Sequence, residues 1–116
     1  MEDSILTTIK QMLGIDSSYD AFDSEIMAHI NTALMIAAQF GVGRRYFITG
    51  TEETWGDYLQ GNEAFLSGIV TYVYEKVKLV FDPPTSSIAA DAAKSMASEL
   101  EFRMNVDYEE GVGQND

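Results

Sequence analysis

The stretch VYEKVKLVFDPPTSSIAADAAKSMASELEFRM, residues 73–104, decides the fold. Val73, Val77 and Val80 recur at helical steps as far as Phe81, where Asp82-Pro83-Pro84 ends the period. Pro83 has no amide proton for a helix and disfavours helical geometry at Asp82, and Pro84 does the same to Pro83. Thr85, Ser86 and Ser87 then offer caps for another helix, whose expected inward stripe is Ala89, Ala92, Ala93, Met96 and Leu100. Two helices thus meet at a rigid corner, and Arg103 and Met104 lie near the end of the second, around Asn105.

Working outward, the first of these helices reaches back to Glu63 and presents Leu66, Ile69, Val70, Val73, Val77 and Val80 on one face. Phe65, Tyr72, Tyr74 and Leu79 spread to its other faces. Further upstream, Ile26, Ile30, Ala33, Leu34 and Ala37 repeat at steps of four and three, with Asp23 as cap and Gly41 as stop. Phe22 is expected to fold back on Ile26 or Met27 as a hydrophobic staple. At the N-terminus Ile5, Leu6, Ile9, Met12 and Leu13 make a short helix capped by Asp3 or Ser4 and stopped by Gly14.

Between Gly41 and Glu53 the run GVGRRYFITGTEE loses the helical period and predicts an extended loop or short hairpin, followed by one helical turn at TWGDYL. The sequence therefore predicts an all-α fold, a small bundle of about four main helices with an irregular loop. It assigns residues 1–104 to the helical domain. Residues 105–116, acidic and glycine-containing without period, are expected to be a mobile tail that a partner orders.

At 116 residues the chain has room for one core. Nineteen acidic residues against seven basic ones give a formal charge of -12, a field that repels phosphate backbones and disfavours sequence-specific DNA binding. That charge serves either solubility or a surface that sits beside nucleic acid without adhering to it. The absence of cysteine excludes disulfide and thiolate chemistry and fits a cytosolic or particle-borne protein. The opening MEDSILTTIKQML is acidic with spaced apolar residues, unlike a signal peptide or a membrane span.

The residues offer little for catalysis. His29 has Glu25 four residues before it but no cysteine or second histidine to complete a metal set, and reads as a surface or boundary residue. GVGRR lacks the strand and helix that would make it a phosphate loop. Ser86, Ser87, Ser95 and Ser98 lack an elbow motif and suit caps and exposed helix positions. With nineteen acids, any carboxylate pair carries no specificity. Neither an enzyme nor a cofactor is expected. Arg44 and Arg45 place two of the seven cations in one loop, either to dock on a neighbouring copy's acidic surface or as a solvated loop. Trp55, with Tyr58 and Leu59, is read as a cover over one end of the core, although aromatic anchors are also common at interfaces.

In order, FDSEIMAHINTA (22–33), GVGRRYFITGTEETWGDYL (41–59), YVYEKVKLVFDPPTSS (72–87) and ELEFRMN (99–105) resemble the small head-tail connector, or adaptor, proteins of tailed bacteriophages and prophages. The most telling elements are the Phe81-Asp82-Pro83-Pro84 closure, the glycine loop leading to Thr54-Trp55, and the glutamate-rich helix end with Arg103. Phe102 stands where many relatives have tryptophan.

The resemblance implies a structural role: a twelve-fold homo-oligomeric ring beneath the portal protein that extends the DNA conduit and receives a stopper or other head-completion protein. It places the protein in the virion head-tail junction, in host cytoplasm during assembly, with DNA passing unread and no membrane involved. Contacts would come from residues 41–53 and 105–116, and the candidate interface residues are Arg44, Arg45, Tyr46, Phe47, Tyr108, Glu109 and Glu110 within these segments and Trp55 and Arg103 beside them. Asp82, Pro83 and Pro84 would set the corner that lets the last helix project toward a partner. The alternative is a free acidic binding protein, a DNA mimic or inhibitor of a basic partner, acting through its net charge and Asp107, Glu109 and Glu110.

Overall fold

A computed structural model describes residues 4–41, 45–60, 66–81 and 87–114, with side chains at 88 and 91–103 in the last segment. These residues form five helices: α1 (Ile5–Met12), α2 (Asp23–Gln39), α3 (Trp55–Leu59), α4 (Leu66–Phe81) and α5 (Ser87–Gln114). No strand forms among them, and the loop before α3 is irregular rather than a hairpin. Its one sheet-like feature is an isolated antiparallel bridge between Ser4 and Thr54.

That bridge joins two helix starts. Ser4 Oγ accepts from the Thr7 amide at 3.2 Å and Thr54 Oγ1 from the Asp57 amide at 3.1 Å, so each cap satisfies an orphan donor. The Ile5 amide donates across to the Glu53 carbonyl at 3.0 Å, which locks α1 to the end of the loop. Gly14 and Gly41 both take positive φ, +80° and +86°, at the ends of α1 and α2 as expected of left-handed stops.

The core is built around α2 and α4, which pack against each other. All five residues of the α2 stripe, Ile26, Ile30, Ala33, Leu34 and Ala37, are buried. Ile5, Leu6 and Ile9 close one side, and Ile48, Trp55, Tyr58 and Leu59 cover another.

Three expectations are corrected. Phe22, not Asp23, is the N-cap of α2, with no side-chain cap bond. Asp23 turns instead to Lys10, whose ammonium is buried 2.8 Å from Asp23 Oδ1 and donates to the Ser17 and Tyr19 carbonyls at 3.1 and 2.8 Å. A buried cation must recruit acceptors, and here that requirement organises the whole α1–α2 connection. Phe22 therefore does not staple α2; its ring packs against Tyr19 and, edge-on, against Phe81, at centroid distances of 5.6 and 5.4 Å.

The second correction is a rotation. On α4 the buried positions are Ile69, Tyr72, Val73 and Val77, while Val80 is 58% exposed. On α5 Ala97 is buried and Ala93 and Leu100 are half-buried, whereas Ala92 and Met96 face out; Ala89 lies outside the described side chains. The cause is polar. Tyr72 buries its ring and donates from its hydroxyl to Glu101 Oε2 at 2.7 Å, with Lys76 Nζ 3.6 Å from the same oxygen. This clasp turns Glu101, and with it Ala97, toward α4. Burial and the Glu101 carboxylate hold the Tyr72 phenol far above its usual pKa.

The third concerns the chain end. α5 does not stop around Asn105 but continues to Gln114. Gly111, Gly113 and the acids Asp107, Glu109 and Glu110 at the negative end of the helix dipole all disfavour this locally. The helix persists because propagation from a turn already formed against α4 is far easier than nucleation. Asp82, Pro83 and Pro84 lie outside the described residues, but the short connection over 82–86 brings α5 back along α4. Arg103 lines the same groove as Ser67, so residues 105–114 run on past the start of α4.

Candidate functional site

Among the described residues, the loop before α3 is held at Tyr46, Ile48, Thr49, Gly50, Glu53 and Thr54. Asn31 of α2 pairs with Ile48 as a second strand would: the Ile48 amide donates to Asn31 Oδ1 at 2.7 Å, and Asn31 Nδ2 donates to the Ile48 carbonyl at 3.0 Å. Ile48 is thereby drawn into the core, 2% exposed. Tyr46 donates from its hydroxyl to Asp57 Oδ2 at 2.6 Å, and its ring lies 5.7 Å from that of Tyr58. Glu53 accepts from the amide and hydroxyl of Thr49 and, at 3.3 Å, from the Gly50 amide. Partial burial pulls the Glu53 carboxyl upward in pKa, but these bonds outweigh it and hold the group below the usual carboxylate range.

Between pinned Tyr46 and pinned Ile48, Phe47 has nowhere to turn but outward, 68% exposed. Burying an aromatic ring is worth roughly 1.5–3 kcal/mol, so a ring held in water by a rigid loop is a stored contact. Across from it on α2 stands Met35, 56% exposed. Met35, Ala38, Gln39, Arg45, Tyr46 and Phe47 line an open groove of about 610 Å³. Arg45 has no ion-pair partner among the described residues. An aromatic anchor, a methionine and an unpaired arginine around one hollow are the composition of a protein-binding patch.

A second hollow, about 380 Å³, opens where α5 lies on α4; Gly68, Thr71, Met96 and Arg103 are among its lining residues. A Cβ built on Gly68 would meet nothing within 4 Å, so no contact inside the protein requires glycine there. Glycine in a helix interior costs about 0.5–1 kcal/mol relative to alanine. Phe102, 69% exposed, is a surface residue and not part of the packing on α4, and Met96 and Ile88 are exposed at other positions around α5.

The structure thus brings Arg45, Tyr46 and Phe47 together and places Arg103 in the other groove, 2.8 Å from Glu99. Trp55 is fully buried, in keeping with its reading as a cover over the core. Its Nε1 has no hydrogen-bond partner among the described residues. Arg44 and the side chains of Tyr108, Glu109 and Glu110 lie outside what is described, although residues 108–110 fall within α5. Met35, Asn31, Gly68 and Met96 were not singled out as site residues from sequence. Met35 had a legible signal, since it sits half a helical turn from the buried α2 stripe. His29 is partly exposed with Glu25 3.9 Å away. No group of three metal-binding side chains occurs among the described residues, and no described helix is long and apolar enough to cross a membrane.

No curated protein and no solved structure matches the chain. A family model described as phage connector protein matches residues 5–111, which takes in α1 to α4, the pinned loop and all but the last turn of α5. A match over that much of the sequence decides the question: the chain belongs to the phage connector protein family.

Proposed function

We propose that the chain is a structural adaptor at the head-tail junction of a tailed phage or prophage. Copies form a ring beneath the portal protein, extend the DNA conduit and present a seat for the stopper or other head-completion protein. The observation that carries this reading is the loop that holds Phe47 and Arg45 outward in a chain of the connector family. Such a loop is built for docking and has no reacting group. The net charge of -12 suits a conduit wall that DNA must pass without adhering. The end of α5, running past α4, gives the ring an arm toward a neighbouring protein, and residues 105–116 are the part that the partner fixes. The double proline would set the corner from which α5 runs back along α4 toward that arm.

The test is light scattering and electron microscopy on the chain alone and mixed with purified portal. A ring of the chain capping the portal is expected. A chain that stays monomeric beside portal and instead binds basic proteins, in a manner abolished by salt, would mark it as a free acidic binder.

A further inference from the structure

The two grooves differ in kind, and they lie on different elements. α4 packs against both α2 and α5, with the first groove on the α2 side and the second on the α5 side. The first groove projects: Phe47 stands out of it with Arg45 beside it. The second receives: its floor is the bare backbone at Gly68, and Met96 forms part of its wall. The first groove carries a cation with no ion-pair partner among the described residues, Arg45, and the second carries a carboxylate, Glu99, that Arg103 engages on one oxygen only. Arg103 donates through both Nε and Nη2 to the same Glu99 oxygen, Oε1, at 3.2 and 2.8 Å. Glu99 Oε2 has no partner among the described residues and is open to a second guanidinium.

We infer that in the assembled protein the Phe47 loop of one copy seats in the Gly68–Met96 groove of the next, with Arg45 pairing with Glu99 of that neighbour. The inference rests on the ring reading above and names the contact that makes the ring. An aromatic ring against a methionine sulfur is favourable, and a groove floored by glycine lets it approach the helix backbone closely. The contact joins two different patches, so it is heterologous. A repeated heterologous contact closes into a ring when its rotation permits, whereas a self-complementary patch stops at a dimer. Arginine fits the role better than lysine because its fork can share a carboxylate already engaged on one oxygen.

The chain has no cysteine, so introduced ones report without background. Gln39→Cys in the lining of the first groove and Ser67→Cys in that of the second are both exposed and spare Phe47, Gly68, Arg45 and Glu99. Assembled on portal and treated with a short bismaleimide, the double variant is expected to give a ladder of oligomers. A mixture of the two single variants should give cross-linked dimers, and either alone none. Cross-linking of one single variant to itself would show a self-complementary contact and overturn the inference. A ring visible by microscopy with no ladder would overturn the contact and leave the ring reading standing, whereas absence of any assembly of the unmodified chain would remove both. As a second measure, Arg45→Glu and Glu99→Arg should each weaken self-association by about tenfold, and the double reversal should recover most of it. Charge reversals that act independently would also sink the pairing.

Discussion

Replacing Asn31 by alanine removes both hydrogen bonds that tie Ile48 to α2, of 2.7 and 3.0 Å, and leaves the Ile48 amide and carbonyl to find water in a part-buried site. Each bond contributes about 0.5–1.5 kcal/mol net, and a buried group left unpaired costs about 1–3 kcal/mol. Water reaches this site in part, so for two groups the expected loss lies where the two ranges overlap, about 2–3 kcal/mol. For a domain of this size that is a fall of roughly 6–12 °C in Tm, measured by circular dichroism at 222 nm. Asn31→Asp keeps the acceptor for the Ile48 amide and loses the donor to its carbonyl, so it should lie between parent and alanine variant. Because Phe47 is held out only while Ile48 is held in, Asn31→Ala should also weaken portal binding at temperatures where the chain is still fully folded. A Tm within about 2 °C of the parent would refute the argument that this side chain acts as a strand for the loop.

Four further outcomes follow from the same physics. Gly68→Ala should raise stability by about 0.5–1 kcal/mol in urea unfolding, since helix propensity improves and the new Cβ meets nothing; a loss would mean the helix is tighter there than it is described. Tyr58, raised by burial, and Tyr72, raised by burial and Glu101, keep their protons in the fold, so the folded state binds more protons than the unfolded one above about pH 10. Their contribution to stability should be level below that pH and fall above it, and two of the six tyrosines should ionise, by absorbance at 295 nm, only as the chain unfolds. Glu53 behaves oppositely: its depressed pKa gives stability that is present above the ordinary carboxylate range and lost as pH falls through the folded value, seen as faster amide exchange at Thr49 and Gly50. Lys10→Met strips the acceptors at Ser17, Tyr19 and Asp23 of their shared donor and should cost about 3 kcal/mol, with the α1–α2 connection exchanging first.

The fold was legible wherever one face of a helix was strongly apolar. The α2 stripe of Ile26, Ile30, Ala33, Leu34 and Ala37 is buried to the last residue because nothing polar competes for that face. α5 was read one position off, with Met96 for Ala97, because its apolar residues lie all round the helix and the deciding contact is a carboxylate, Glu101, reaching a buried tyrosine hydroxyl. Periodicity carries no information about such a bond. Lys10 and Asp23 were missed for the same reason, since a buried ion pair has no pattern in one sequence. At the site, Arg45 and Phe47 could be found because an arginine and an aromatic in an aperiodic loop are conspicuous. Asn31, seventeen residues from the peptide it pins, could not. Trp55, read from its residue type as a cover over the core, is buried as the first residue after the Thr54 cap.

On the proposed function, Phe47 is exposed in the free chain in order to be covered in the assembly. Phe47→Ser should leave the Tm of the free chain within about 2 °C of the parent, because an exposed ring supports little of the fold. On purified portal, the same variant should leave the ring absent or incomplete by electron microscopy. A complete ring of Phe47→Ser on portal, at the same protein concentration as the parent, would contradict the central claim.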